Sequence, residues 1–273
     1  MRIMSWNVNS IRVREARLLR LLERHQPDVL ALQELKTEDK GFPFAALEAA
    51  GYHAIAHGQK TYNGVALLSR VPGTDVLRGL DDGVDDPQAR LVSARFGDVR
   101  VVAVYVPNGS TMGSDKWAYK QQWYARLGAW LQRHASPETP LALCGDFNVA
   151  FDARDVHDEA AWADGVLYHP EARALLNGVT AWGLTDTFRQ HVTEGGHYSW
   201  WDYRGGGFQR GHGLRIDFVF ATAPLAARCT AVGIDRDERK VERLPKGVKE
   251  RGEGDTRTAP SDHAPVWADF SDA

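Results

Sequence analysis

Residues 99–106 (Val-Arg-Val-Val-Ala-Val-Tyr-Val) and 28–32 (Asp-Val-Leu-Ala-Leu) are apolar at neighbouring positions, not only at alternate ones. Successive side chains of an extended chain point to opposite faces, so strands of this kind must be covered on both sides. Further strands are predicted at 2–8, 53–57, 63–69, 90–96, 141–147, 197–202, 214–221, 228–234 and 264–270, and the run from 28 extends to 34. Helices are predicted at 11–25, 43–50, 116–134 and 170–177, the first carrying Ile11, Leu18 and Leu22 on one face. Many strands and few long helices run through all 273 residues, with no repeat and no Pro/Gly/Ser linker. This pattern predicts one α/β domain, a four-layer sandwich of two packed mixed sheets flanked by helices.

Several of the apolar runs end in the same kind of residue. Leu141 to Cys144 lead into Gly145, Asp146, Phe147 and Asn148. Asp146 and Asn148 share a side by the two-residue period, an anionic acceptor next to a neutral donor and acceptor. That pairing suits a hard cation beside a phosphate oxygen, although a strand followed by an Asx turn would also explain the segment alone. The run from Asp28 ends in Glu34, and Trp6-Asn7-Val8-Asn9 closes the first strand with Asn7 and Asn9 on one face. Either Asn could equally cap a turn. Asp217 interrupts the apolar stretch Leu214 to Phe220 and, if buried, needs an Arg or His partner. Asp262-His263 precedes the last strand, and Tyr105 ends the run at 99–106. Two packed sheets would bring these ends to one rim. A rim carrying Glu34, Asp146 and Asp262 repels itself unless a divalent cation is bound, and the excess of oxygen donors points to Mg²⁺ or Mn²⁺ rather than Zn²⁺.

Bulk properties narrow the field. A net charge of −3 provides no global basic field, so any nucleic-acid contact must come from a local patch. Cys144 and Cys229 are the only cysteines and lie far apart, which argues against a zinc site or a disulfide framework and fits a reducing compartment. No apolar run reaches the roughly 18 residues a membrane span needs, and no apolar signal core follows Met1. The expectation is a cytoplasmic protein without a membrane partner. Gly205-Gly206-Gly207 lacks the Lys and Ser/Thr of a P-loop.

The blocks Pro27 to Lys36, Gly145 to Asn148, Asp186-Thr187-Phe188-Arg189, Tyr198 to Arg204, Leu214 to Asp217 and Ser261 to Val266 together resemble the exonuclease III family of abasic-site (AP) endonucleases, within the endonuclease/exonuclease/phosphatase superfamily. The resemblance runs from Met1 to about Phe270 and implies a DNase I-like fold. It implies a metal-dependent DNA repair nuclease that hydrolyses the phosphodiester 5′ to abasic sites in duplex DNA. It also implies 3′→5′ exonuclease and 3′-end-cleaning activity on blocked ends. Carried over by position, Glu34 would be the principal metal ligand, with Asn7 and Asp262 close by, and Asp146, Asn148 and His263 bordering the same one or two Mg²⁺ or Mn²⁺ ions. Asp146 would deprotonate or orient the attacking water, Asn148 would hold the scissile phosphate, and His263, oriented by Asp217, would donate to a phosphoryl oxygen. Tyr105 and Asn108 would contact the phosphate side. Trp200, Leu214 and Ile216 would form an apolar pocket for a base-free sugar, with Asn9 and Arg90 also among the substrate contacts. A monomer is expected.

Two departures from the family pattern stand out. Gly211-His212 occupies the place of an Asn-Arg pair, leaving Arg210 as the substitute for that phosphate contact. The stretch 236–260 reads as a loop insertion of nearly balanced charge, either a solvated loop or one in which Lys246, Lys249 and Arg251 grip the DNA backbone. The rivals to the nuclease reading are a superfamily phosphatase acting on a lipid or small phosphoester, which would not need the Trp200 region, and a non-catalytic DNA-binding protein. The second rival is disfavoured because every expected carboxylate is present.

Overall fold

The first strand, β1 (Arg2–Asn7), shows how the layers arise in the computed structural model, which describes residues 1–241 and 259–272. Ile3 points into the apolar cluster between two sheets, while Met4 and Trp6 point the other way, under helices. The strand β2 (Val29–Gln33) repeats the division, with Val29 and Ala31 inward and Leu30 and Leu32 outward. Helices α1 (Ile11–His25) and α2 (Phe44–Ala49) cover that outer face with Leu18, Leu21, Leu22 and Leu47. Each such buried side chain contributes about 1.5–3 kcal/mol.

This sheet also contains β3 (His53–His57), β4 (Val65–Ser69), β11 (Cys229–Ile234) and β12 (Val266–Phe270), in the order β11-β12-β1-β2-β4-β3. The second sheet contains β5 (Thr74–Arg78), β6 (Leu91–Phe96), β7 (Val99–Tyr105), β8 (Leu141–Asp146), β9 (Leu184–Asp186) and β10 (Asp217–Thr222), in the order β5-β6-β7-β8-β10-β9. Val101, Ala103, Ala142 and Cys144 face the first sheet. Val102, Val104, Leu141 and Leu143 face outward, beneath α3 (Asp115–His134), with the short α4 (Glu159–Trp162) and the longer α5 (Pro170–Thr180) beside it. The double-sided apolar runs are therefore the central strands of a four-layer sandwich, as predicted.

The register sets up the rim. The pairs β1–β2 and β7–β8 are parallel, placing Asn7 beside Gln33 and Tyr105 beside Asp146. β10 runs antiparallel to β8 and places Asp217 opposite Asp146. Asp217 thus opens its strand, and the predicted strand start at 214 gives way to irregular chain. The stretch 197–202 is not a strand: Trp200 makes only isolated bridges, to Leu214 and His263. The edge strands β5 and β9 carry Asp75 and Asp186 and have no alternating apolar pattern to announce them. At the start of the predicted loop, Arg236–Arg239 forms a 3₁₀ turn whose Glu238 pairs with Arg17 at 3.1 Å and Arg24 at 2.6 Å. Lys246, Lys249 and Arg251 lie outside the described residues. Among the described residues no helix is long and apolar enough to cross a membrane.

Candidate active site

The rim is shaped by unusual backbone. Glu34, Asn148 and Asn9 have φ of 51°, 50° and 45°, left-handed conformations that turn the chain back at the strand ends. Gly145 has φ of 150°, and a Cβ there would fall on the Val104 carbonyl oxygen. The close approach of β7 and β8 under Asp146 therefore requires glycine.

Glu34, Asp146 and His263 bring their ligand atoms within 4.8 Å of one another. Asn7 ties the carboxylates together: its Nδ2 donates to Glu34 Oε1 (2.9 Å) and to Asp146 Oδ2 (3.0 Å), while its Oδ1 accepts from Asn9 N (3.0 Å). Lys36 Nζ lies 3.0 Å from Glu34 Oε2. His263 Nδ1 is 2.8 Å from Asp217 Oδ2, and its Nε2 is 3.7 Å from Asp146 Oδ2. Burial alone would lower the His263 pKa, but the charges of Asp217 and then Asp146 outweigh it and raise the pKa well above the ordinary value, so the ring is cationic. Burial pushes the Asp146 carboxyl up, only partly countered by the His263 charge. A carboxyl with a raised pKa beside a cationic imidazole is poised to accept and release a proton near neutral pH.

On the phosphate side, Asn148 N donates to Asp146 Oδ1 (2.9 Å) and Asn148 Nδ2 to Val106 O (2.9 Å). Asn148 Oδ1 accepts from Asn108 Nδ2 (3.0 Å), so the two amides are coupled and each keeps a second N–H for a ligand. Tyr105 is held neutral: burial raises its pKa, and the charges of Glu34 and Asp146 add to the shift. Arg90 lies 4.7 Å over the Tyr105 ring and donates from Nη1 to the Tyr105 carbonyl (3.0 Å).

Other expected residues stand differently. Asp262 accepts from Asn9 Nδ2 (2.9 Å) and Trp200 Nε1 (3.0 Å), which places it beside the Glu34–Asp146–His263 cluster rather than in it. Leu214 and Ile216 are 0% and 1% exposed and form part of the core; they present no open pocket. Trp200 remains half-buried, edge-on to Trp162 of α4 at 6.0 Å. His212 stacks on His157, with centroids 4.6 Å apart and planes at 7°, and Arg210 is exposed two residues earlier.

Three residues escaped the sequence reading. Ser199 Oγ donates to Asp217 Oδ2 (2.6 Å) and accepts from the Ile216 and Asp217 amides (3.1 Å each), fixing the carboxylate that faces His263. Ser261 Oγ donates to Asn7 O (2.7 Å) and accepts from His263 N (3.2 Å), joining the last strand's approach to the first strand's end. Lys120 is fully buried behind Asn108 and Asn148. Helical spacing could have flagged it, since Trp117, Lys120, Tyr124, Leu127 and Leu131 form one apolar stripe. A serine in a stretch read as strand carries no comparable signal.

Two packed mixed sheets with carboxylates, amides and a His–Asp pair on one rim define a hydrolase class that acts on phosphoesters. The chain belongs to the Endonuclease/Exonuclease/phosphatase family, whose model matches residues 4–263. Exodeoxyribonuclease III of Haemophilus influenzae is 34% identical over 282 residues, covering 99% of this chain and 100% of that protein. Among solved structures, the 3′ phosphatase NExo from Neisseria, bound to a product DNA hairpin, matches with TM-score 0.90 and 40% identity over 99% of each chain. An AP endonuclease from Archaeoglobus fulgidus matches with TM-score 0.90 and 35% identity over 100% of both chains.

Proposed function

We propose that this chain is a metal-dependent DNA repair nuclease of the exodeoxyribonuclease III and AP endonuclease type. It hydrolyses the phosphodiester 5′ to abasic sites in duplex DNA and trims or dephosphorylates 3′ ends. The observation that carries this reading is the convergence of Glu34, Asp146 and His263 within 4.8 Å, next to coupled amides that each retain a free donor. The relatives named above are 3′-end and abasic-site enzymes over essentially the full length of the chain. A cytoplasmic location and a monomeric state accompany this reading.

The donor set is hard and oxygen-rich, which fits Mg²⁺ or Mn²⁺, with Glu34 and Asp146 the residues that would hold it. Bound there, the cation supplies Lewis-acid neutralisation of charge developing on the phosphoryl group. The chain's own groups supply the rest. Asp146 orients the attacking water and takes its proton, a task suited to a carboxyl whose pKa is raised. His263, cationic through Asp217, donates from Nε2 to a phosphoryl oxygen, and the free N–H groups of Asn148 and Asn108 hold the phosphate in line. Tyr105, a neutral phenol, contributes a further donor.

The test is incision of a duplex oligonucleotide bearing one abasic analogue, alongside a duplex with a 3′-phosphate, in Mg²⁺, Mn²⁺ or EDTA. Metal-dependent cleavage that collapses by about two to three powers of ten in Asp146→Asn is the expected result. A folded wild type inactive on both duplexes in both metals, yet active on inositol phosphates or sphingomyelin, would overturn the reading.

A further inference from the structure

We infer that Lys120 is the positioning residue that sets the phosphate-binding amides, an inference that rests on the nuclease reading above. Lys120 is 0% exposed on the apolar stripe of α3. Its Nζ donates to Asn148 O (2.7 Å), Val166 O (2.8 Å) and Asn108 O (3.0 Å). Those carbonyls belong to three separate segments: the chain after β8, the approach to α5, and the turn after β7. An ammonium has three N–H donors, so all are engaged and none is left for a substrate. Lys120 therefore acts through the residues it holds and does not touch the reacting atoms.

Two of those residues are the phosphate-side amides. Lys120 grips the backbones of Asn108 and Asn148, whose side chains join at 3.0 Å on the other side. The result is a closed ring in which main chain and side chain of both Asn residues are fixed relative to each other. The turn after β7 sits directly on the lysine stem: Gly109 has φ of +93°, and a Cβ there would lie 2.9 Å from Lys120 Cδ. The Trp117 ring, 5.8 Å from Nζ, closes another side. Removing the ammonium would leave three carbonyls without this donor, two of them (Asn148 O and Val166 O) buried, a cost the segments relieve by moving apart. Because Asn148 is in the left-handed region, with φ of 50°, its amide direction depends on such external restraint. DNA is gripped over a much wider surface than one phosphate, so loosening this ring should reduce turnover far more than affinity.

Lys120→Met keeps the stem and deletes the charge. Turnover on the abasic duplex and on the 3′-phosphate duplex is measured in the wild-type and Asn148→Ala backgrounds, with a thermal melt of each variant. An ångström-scale misplacement should lower kcat about 100-fold on both substrates, which share the phosphate seat, while KM changes by less than about threefold. In the Asn148→Ala background the same substitution should cost no more than about threefold, because residues in one network are not additive. The inference is overturned by a folded Lys120→Met with wild-type kcat, or by a loss that multiplies in full with that of Asn148→Ala. If Lys120→Met does not fold, Lys120→Gln, which retains an amide donor, is judged by the same cycle with a loss of about tenfold expected. A wild type inactive on both duplexes would refute the nuclease reading itself, and this inference with it.

Discussion

Replacing Asp217 with Asn should convert the activity of this protein from one that tolerates alkaline conditions to one that requires acid. His263 Nδ1 lies 2.8 Å from Asp217 Oδ2, and Nε2 lies 3.7 Å from Asp146 Oδ2. Burial opposes the imidazolium; Asp217 is the stronger of the charges that keep it protonated. Asp217→Asn preserves the shape and removes that charge, so the His263 pKa should fall to about 6.5, the value of a free histidine, or below. At a pKa of about 6.5, roughly 3% of the ring is protonated at pH 8 and about three-quarters at pH 6. If the cation is the active form, the variant loses about 30-fold at pH 8 and less than twofold at pH 6 from this cause alone. The assay is kcat on a 3′-phosphate duplex at saturating Mg²⁺ and DNA, wild type against variant, from pH 6 to 9. The reasoning is refuted if the ratio of the two rates stays constant across that range. Stability should follow the same sign. A raised native pKa contributes stability that is complete below the unfolded value near 6.5 and is lost as pH rises through the native one, so wild type should lose more of its melting temperature between pH 7 and 10 than Asp217→Asn does.

Two further outcomes follow from the rim. Glu34→Gln removes a charged donor whose oxygens are held by Asn7 (2.9 Å) and Lys36 (3.0 Å); it should raise the Mg²⁺ concentration for half-maximal activity by at least about tenfold, and an unchanged titration curve would exclude Glu34 as a ligand. Burial raises the native pKa of Asp146, so the metal-free fold should lose stability as pH climbs from about 4 through that raised value. Metal-free Asp146→Asn should accordingly melt above wild type at pH 8, with the difference shrinking as pH falls toward about 4, and a difference independent of pH would show that the carboxyl is not strained by burial.

Fold and site were legible in the sequence to different depths, and the boundary between them is physical. The central strands declared themselves because two-sided burial imposes apolar residues on both faces and at most positions, as in β2 and β7. Edge strands need only one face and a few hydrogen bonds; β3 and β11 keep enough apolar residues to be read, but β5 and β9, with Asp75 and Asp186, left no such pattern. The rim residues could be read because a carboxylate or amide at the end of an apolar run is costly without a partner; Asn7, Glu34, Asp146, Asn148, Asp217 and His263 all arrive at one place. What that logic lacked was a way to assign partners.

Asp262 illustrates the difficulty, since it follows the same rule as its neighbours yet binds Asn9 and Trp200, side chains from two distant segments. Leu214 and Ile216 show the complementary case. An apolar residue beside a polar rim can line a pocket or lie beneath it, and only the packing of Phe147 and Phe218 against the same cluster decides for the core. Lys120 and Ser199 mark a third situation, in which the informative property is the absence of any exposed function. Each is a polar side chain buried in an apolar context with its hydrogen-bonding capacity taken up by backbone or carboxylate groups, and neither touches the space where a substrate would lie. A buried ammonium is costly enough that it persists only where several acceptors converge on it. Convergence of three carbonyls from three segments is a property of tertiary structure, so a lysine on an apolar helical stripe can raise the question of partners from sequence alone while only the assembled fold supplies them.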